Sequence, residues 1–169
     1  MVPFRGSRLF QRTRLNVAPD ATVILGEILL PGRVAHREAH VYDLYWSETE
    51  ARRPDGTTLF ADTLRLRPGE SAEIGDPRSP GALGGYDIVA TLQLISPLKP
   101  PAELVELLRA RLADTPDILV GVSELPGDCG VAVRLLGHMS RSVHPAMRTA
   151  WSTAREALLG VPAPDLRKG

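Results

Sequence analysis

The sequence predicts a β-rich α+β fold, a helical or sandwich-like arrangement of mostly antiparallel strands with two helices in the C-terminal half. Three observations carry this. Short stretches of alternating or continuous apolar residues fill residues 10–95. Two stripes of 3.6-residue period follow after residue 101. Gly/Pro clusters separate the segments, as turns do. A chain of 169 residues suits one domain spanning 1–169, and at that size roughly two thirds of the unfolded surface can be buried without a disulfide or metal staple.

The first strand is expected over Phe10–Val17, where Gln11, Thr13, Leu15 and Val17 alternate with Phe10, Arg12 and Arg14. After the turn at Pro19-Asp20, Thr22–Leu30 is apolar on both sides and reads as an interior strand, ended by Pro31-Gly32. Ala39–Glu50 would place His40, Tyr42, Leu44 and Trp46 on one face. Arg53-Pro54-Asp55-Gly56 is a turn, because Pro presets φ and Gly accepts positive φ. It joins Ala39–Glu50 to Thr58–Arg67 as an antiparallel hairpin. Pro68–Gly85 reads as a surface loop. In Tyr86–Ile95, Tyr86, Ile88, Ala90, Leu92 and Leu94 should face inward, with Asp87, Thr91 and Gln93 opposite.

A helix over Ala102–Ala113 presents Leu104, Leu107, Leu108 and Leu112 to the core, with acids near its start and arginines near its end. Asp117–Ser123 and Val131–Leu136 read as buried strands around the turn Leu125-Pro126-Gly127-Asp128. The last helix should run from Ser142 to Leu159, with Pro145 in its first turn and Gly160 as its stop. Its buried stripe would be Met147, Ala150, Trp151, Ala154 and Leu158.

Twenty basic residues balance twenty acidic ones, which argues against a broad electrostatic grip on nucleic acid or anionic lipid. All the basic residues except Lys99 and Lys168 are arginines, scattered among acids rather than striped. Cys129 is the single cysteine, so no internal disulfide can form, as fits a reducing compartment. No apolar run has the ~18–20 residues that a membrane span needs, and the opening residues hold no apolar signal core. A cytoplasmic protein without nucleic-acid or membrane partners is expected.

No phosphate-cradling loop, nucleophile elbow or His-Glu-x-x-His pair is present. Cys129, in the turn Gly127-Asp128-Cys129-Gly130, would need an activating His to serve as a nucleophile, and its simpler role is to fill that turn. His36 and His40 could share a metal only if residues 34–37 curl, because four extended residues cover ~13 Å. Otherwise both are solvent-exposed. Glu27 sits in an apolar strand on the face of Val23, Leu25 and Leu29. A buried carboxylate is costly unless paired, so Arg33 or another arginine should lie nearby. The alternative is a polar spot lining an internal passage or interface. Asp62, between Phe60 and Leu64, raises the same question.

These residues carry a family resemblance. Gly26-Glu27-Ile-Leu-Leu-Pro-Gly32-Arg33-Val-Ala-His-Arg-Glu38 resembles the Glu…Gly-Arg…Gly-Glu segment of the urease accessory protein D (UreD/UreH) family. Asp62-Thr63-Leu64-Arg65-Leu66 is similar to the stretch that follows there. The later signature is Gly121-Val-Ser-Glu-Leu-Pro126-Gly127-Asp-Cys-Gly130-Val-Ala-Val133-Arg134-Leu135-Leu136-Gly137. The ending, from Ala150-Trp151 through Arg155 to Pro164-Asp165-Leu166-Arg167-Lys168, is similar to actinobacterial members. Two departures stand out. Arg37 replaces the glycine usual before Glu38, and the family's N-terminal strands have no counterpart.

The resemblance implies a non-enzymatic urease maturation factor that scaffolds a complex with accessory proteins F and G, docks on apo-urease and assists GTP-dependent nickel insertion. A homodimer through that complex is compatible with this role. The resemblance implies no tightly bound cofactor, only transient nickel. Glu27 and Glu38 coincide with the family motif, and His36 and His40 join them as polar candidates because carboxylate and imidazole suit Ni²⁺. Arg33, Arg134 and Asp62 are expected to make structural pairs, and Trp151, Arg155, Asp165 and Arg167 a partner surface. The competing reading is a truncated β-rich protein-binding module without nickel delivery.

Overall fold

The computed structural model describes residues 1–69 and 75–165. Its strands are β1 Arg8–Asn16, β2 Val23–Leu29, β3 Gly32–Arg33, β4 Glu38–Ala39, β5 Leu44–Arg52, β6 Thr58–Leu66, β7 Ile88–Ile95, β8 Ile118–Glu124 and β9 Gly130–Gly137. The helices are α1 Pro101–Leu112 and α2 Ser140–Leu159. A three-stranded sheet, β1-β5-β6, packs on a four-stranded sheet, β2-β7-β9-β8, whose other face carries both helices. The result is a β-rich α+β fold of three layers. β3 and β4 form a separate two-residue ladder.

Period-2 alternation explains the central layer. On β7, Ile88, Ala90, Leu92 and Leu94 point to α1 and α2, while Val89 and Ile95 point into the inter-sheet clusters. Gln93 is buried as well, so the side opposite Leu92 meets a second sheet rather than water. β2 differs from the expected interior strand, because it hydrogen-bonds to β7 alone among the strands and stands at the sheet edge. Apolarity on two faces reports the layers above and below a strand, not its lateral neighbours. β8 is likewise an edge, and only Val122 within it is buried.

The strand expected over Ala39–Glu50 breaks at His40, whose φ is +52°. Pairing resumes at Leu44, and the buried face becomes Tyr45, Ser47, Thr49 and Ala51 instead of Leu44 and Trp46. The hairpin to β6 is antiparallel. β1 pairs with β5 in parallel, Arg8 beside Leu44 through Asn16 beside Arg52. Within the expected 68–85 loop, Leu83 and Asp76 are buried, and residues 70–74 lie outside the described residues. In α1, Leu107 is exposed and Val105 takes its place in the core. α2 begins at Ser140, so Pro145 is its sixth residue and the N–H it lacks falls in the exposed early turns. Val143, Ala146 and Thr153 join the buried stripe, and Gly160 stops the helix at φ +70°.

Gly130 lies opposite Ile95 on β7. A Cβ there would collide with the backbone carbonyl of Leu94, which cannot swing aside. Gly130→Ala should therefore cost on the order of 3 kcal/mol or more. Gly127→Ala, with open space but φ +63°, should cost about 1–2 kcal/mol. Urea denaturation midpoints check the order, and equal losses would refute it.

Candidate functional site: a polar seam between the two sheets

The inter-sheet space has apolar ends and a polar middle. At one end Leu29, Tyr42, Tyr45, Leu66, Leu83 and Val89 cluster, and at the other Val17, Ala51, Phe60 and Ile95. Between them, alternation points Glu27 of β2, Ser47 and Thr49 of β5, Asp62 of β6, Thr91 and Gln93 of β7 and Arg134 of β9 into one small cavity of 30 Å³. That is room for about one water. Asp62, Thr91, Gln93 and Arg134 also line an adjoining open cleft of 370 Å³ beside β8.

Among the described residues, the expected arginine is not found at Glu27. Tyr45 OH donates to its Oε1 at 2.8 Å, Gln11 Nε2 to the same oxygen at 3.2 Å, and Ser47 Oγ to Oε2 at 3.4 Å. All three donors are uncharged. Burial first, then the Glu27 carboxylate, pushes the Tyr45 phenol well above its ordinary range, so it remains a donor at neutral pH. Arg33 is committed elsewhere. Its Nε and Nη2 grip Glu38 at 2.8 and 3.0 Å across the β3–β4 ladder, with Arg5 3.7 Å from the same carboxylate. The Arg33 hydrogen bond holds the Glu38 carboxyl below its usual range. Asp62 accepts from Arg134 Nη2 at 2.8 Å and Gln93 Nε2 at 3.2 Å.

The segment between the two candidate histidines does curl, into a 3-10 turn at Val34–His36 with Arg37 left-handed at φ +58°. The curl does not join the rings. His36 is exposed near Glu38, whereas His40 Nε2 lies 3.6 Å from Asp87, whose other oxygen is 3.0 Å from His138 Nδ1. Burial lowers the His40 pKa, and Asp87 opposes that shift. Among the described residues no three His, Cys, Asp or Glu side chains converge to hold a metal ion. Cys129 contacts the Leu59 carbonyl at 3.6 Å and burial raises its pKa, the opposite of an activated thiolate.

Trp151 is half-buried on α2 with Arg155 over its ring at 5.8 Å. The tail folds back on this helix: Arg155 Nε donates to the Pro162 carbonyl at 3.2 Å and Arg148 Nη1 to that of Pro164 at 3.1 Å. Asp165 follows, and Arg167 lies outside the described residues.

The UreD urease accessory protein family model matches residues 1–168. The chain belongs to the UreD family. Urease accessory protein UreD 2 of Streptomyces griseus is 41% identical over 168 residues, which are 99% of this chain and 56% of the relative. UreD of Haloarcula marismortui is 38% identical over 162 residues, 96% of this chain and 52% of the relative. UreD of Cenarchaeum symbiosum is 31% identical over 169 residues, 99% and 58%. The chain thus spans a little over half the length of these UreD relatives. Sequence reading found Glu27, Asp62 and Arg134 but missed Gln11, Tyr45, Ser47, Thr91 and Gln93. The polar pair Thr91 and Gln93 inside an apolar run is the available signal.

Because Glu38 titrates below its usual range in the folded protein, the unfolded chain takes up that proton at a higher pH than the folded one. Its contribution to stability is present above the ordinary carboxylate range and fades as pH falls through the lowered folded value. Arg33→Ala should flatten this acid limb and return Glu38 toward an ordinary titration. Melting temperature against pH, with carboxyl NMR shifts, checks both, and an unchanged acid limb would refute the assignment.

Proposed function

We propose that this UreD-family chain serves urease maturation as a non-catalytic scaffold assisting GTP-dependent nickel insertion into apo-urease, in a cytoplasmic complex with accessory proteins F and G. Nickel is cargo here, not a resident cofactor, and a homodimer through the complex is consistent with the role. The observation that carries the reading is the polar seam, which joins an open cleft at Asp62 and Arg134 to Glu27 between two apolar clusters. A core of this kind ordinarily excludes such groups, because each buried polar atom needs a partner.

Within the seam, Glu27 is the leading nickel contact. Its uncharged donors leave the carboxylate charge for a cation, and oxygen ligands suit Ni²⁺. At Glu38 and Asp62 a cation would first compete with a guanidinium. Glu38, His36 and His40 are assigned to the outer approach, where Asp87 lies beside His40. The α2 surface with its folded-back tail, including Trp151, Arg155, Asp165 and Arg167, is assigned to partner docking. Because the chain spans little over half of its relatives, a protein-binding module without nickel delivery is the second reading.

Co-expression with cognate F, G and apo-urease separates these. The unsubstituted chain should co-elute with the F-type protein and activate urease. Glu27→Gln, which keeps the shape and removes the charge, should keep co-elution and lower activation several-fold. Co-elution without activation by the unsubstituted chain supports the binding module, and full activation by Glu27→Gln removes Glu27 from the route.

A further inference from the structure

Arginines that are scattered along the sequence are gathered by the three-stranded sheet onto one face. Alternation turns Arg8, Arg12 and Arg14 of β1, Arg52 of β5 and Arg65 of β6 outward, away from the space between the sheets. The acids that share this outward face are Glu48 and Glu50 of β5. Arg12 pairs with Glu48 and Arg52 with Glu50, at 2.7 and 2.6 Å, and Arg8 meets Asp43 at the rim at 3.2 Å. Among the described residues, no carboxylate lies within ion-pair distance of Arg14 or Arg65. The face thus keeps uncompensated positive charge in a chain whose charges balance overall.

Between these arginines lies an aromatic pair, Phe10 beside Trp46. Phe10 remains 55% exposed although the Arg12 guanidinium lies over its ring. The Trp46 indole Nε1 is buried with no acceptor among the described residues, a donor whose desolvation goes uncompensated. Aromatic rings and arginine are the residue types that protein interfaces favour. Arg65 stands in the row of Trp46 and Phe10, whereas Arg14 is four residues further along β1. Their backbones are therefore roughly 10 Å apart across the strands and 13 Å along them, too far for one small anion to bridge. Nucleic acid fits poorly as well, because Glu48 and Glu50 would face its phosphates and both rings already carry an arginine.

We propose that the outer face of the β1-β5-β6 sheet docks a folded protein partner whose contact patch is acidic. Carboxylates of that partner meet Arg14 and Arg65, and an apolar side chain between them rests on Phe10. An acceptor placed at the Trp46 ring also satisfies its buried N–H. In the free chain the guanidinium groups over the two rings stand in for this partner. The face lies on the far side of the sandwich from α2, since the four-stranded sheet and the space between the sheets separate them. One chain can therefore hold a partner on each side at once, as a scaffold must. The assignment deepens the scaffold reading and rests on it for the choice of candidate partners.

The test measures binding of the full chain to cognate F, to G and to apo-urease, each alone. One double variant, Arg14→Glu with Arg65→Glu, reverses the two uncompensated charges, and Arg14→Gln with Arg65→Gln removes them more gently. A control, Lys99→Glu with Arg111→Glu, makes the same change of charge beside and on α1. The reversed face should bind one of the three partners about tenfold or more weaker, with an unchanged melting temperature, while the control binds as the unsubstituted chain does. The glutamine pair and Phe10→Ala should each weaken the same partner several-fold, and added salt should weaken it in the unsubstituted chain. Full retention of every partner by the face variants, or equal loss in face variants and control, overturns this assignment and leaves the scaffold reading standing. Binding of none of the three by the unsubstituted chain overturns both. Tight binding of a short single-stranded RNA, or self-association of the chain, that the reversed face abolishes also overturns it, because the occupant would then be nucleic acid or a second copy.

Discussion

Burial of β7 on both faces is the constraint on which the other layers depend. Its Ile88, Ala90, Leu92 and Leu94 anchor α1 and α2, and its Val89 and Ile95 anchor the second sheet. β2 and β9 flank it on either edge. Each fully buried aliphatic side chain is worth roughly 1.5–3 kcal/mol over exposure, so this one strand ties three hydrophobic clusters to one backbone. The contact with β9 is close enough at Gly130 that no side chain fits there. A strand so enclosed cannot also solvate polar groups. Thr91 and Gln93 therefore help form the seam: Gln93 donates to Asp62 on the facing sheet, and both residues line the adjoining cleft.

Why the seam takes the form it does follows from which carboxylates have cations. Asp62 and Glu38 lie near arginines and are neutralised by them. Glu27 accepts from hydroxyls and an amide. An ion pair in a low-dielectric layer returns its desolvation cost only with good geometry, and Arg33 has that geometry with Glu38, through two parallel hydrogen bonds. Once Arg33 is bound there it cannot serve Glu27. Half-buried Glu27 is thus the seam carboxylate for which no arginine partner is found among the described residues.

The elements were legible where a local rule and the tertiary environment agree. The hairpin turn at Arg53–Gly56, both helices and the Gly160 stop all rest on chemistry within a few residues, and all seven long strands were anticipated. The differences arise where the deciding partner is remote. Nothing local tells Thr22–Leu30 that it will stand at an edge, since facial apolarity is the same for an edge and a centre covered by the same layers. The alternation of Ala39–Glu50 supports either face, and the left-handed kink at His40 selects the one that buries Tyr45 and Ser47. The partners of Glu27 come from β1 and β5, 16 to 20 residues away in sequence, and only the sandwich brings them together.

The arginine bias has a physical use on the outer face of the three-stranded sheet. Phe10 and Trp46 sit edge to face there at 5.8 Å on the neighbouring strands β1 and β5. Arg12 covers the Phe10 ring at 5.1 Å and Arg65 the Trp46 ring at 5.6 Å, while Arg12 also pairs with Glu48. A guanidinium can lie over an aromatic ring and still keep its charge in water, so these side chains cover the rings without a further layer of structure. The four-stranded sheet solves the same problem differently, by laying α1 and α2 across its outer face. Between β2 and α2 a trough with a mostly apolar lining stays open, and among the described residues Met1 is the backbone partner found at that edge of β2. Arginine can shield an aromatic ring, but it cannot satisfy a row of backbone N–H groups.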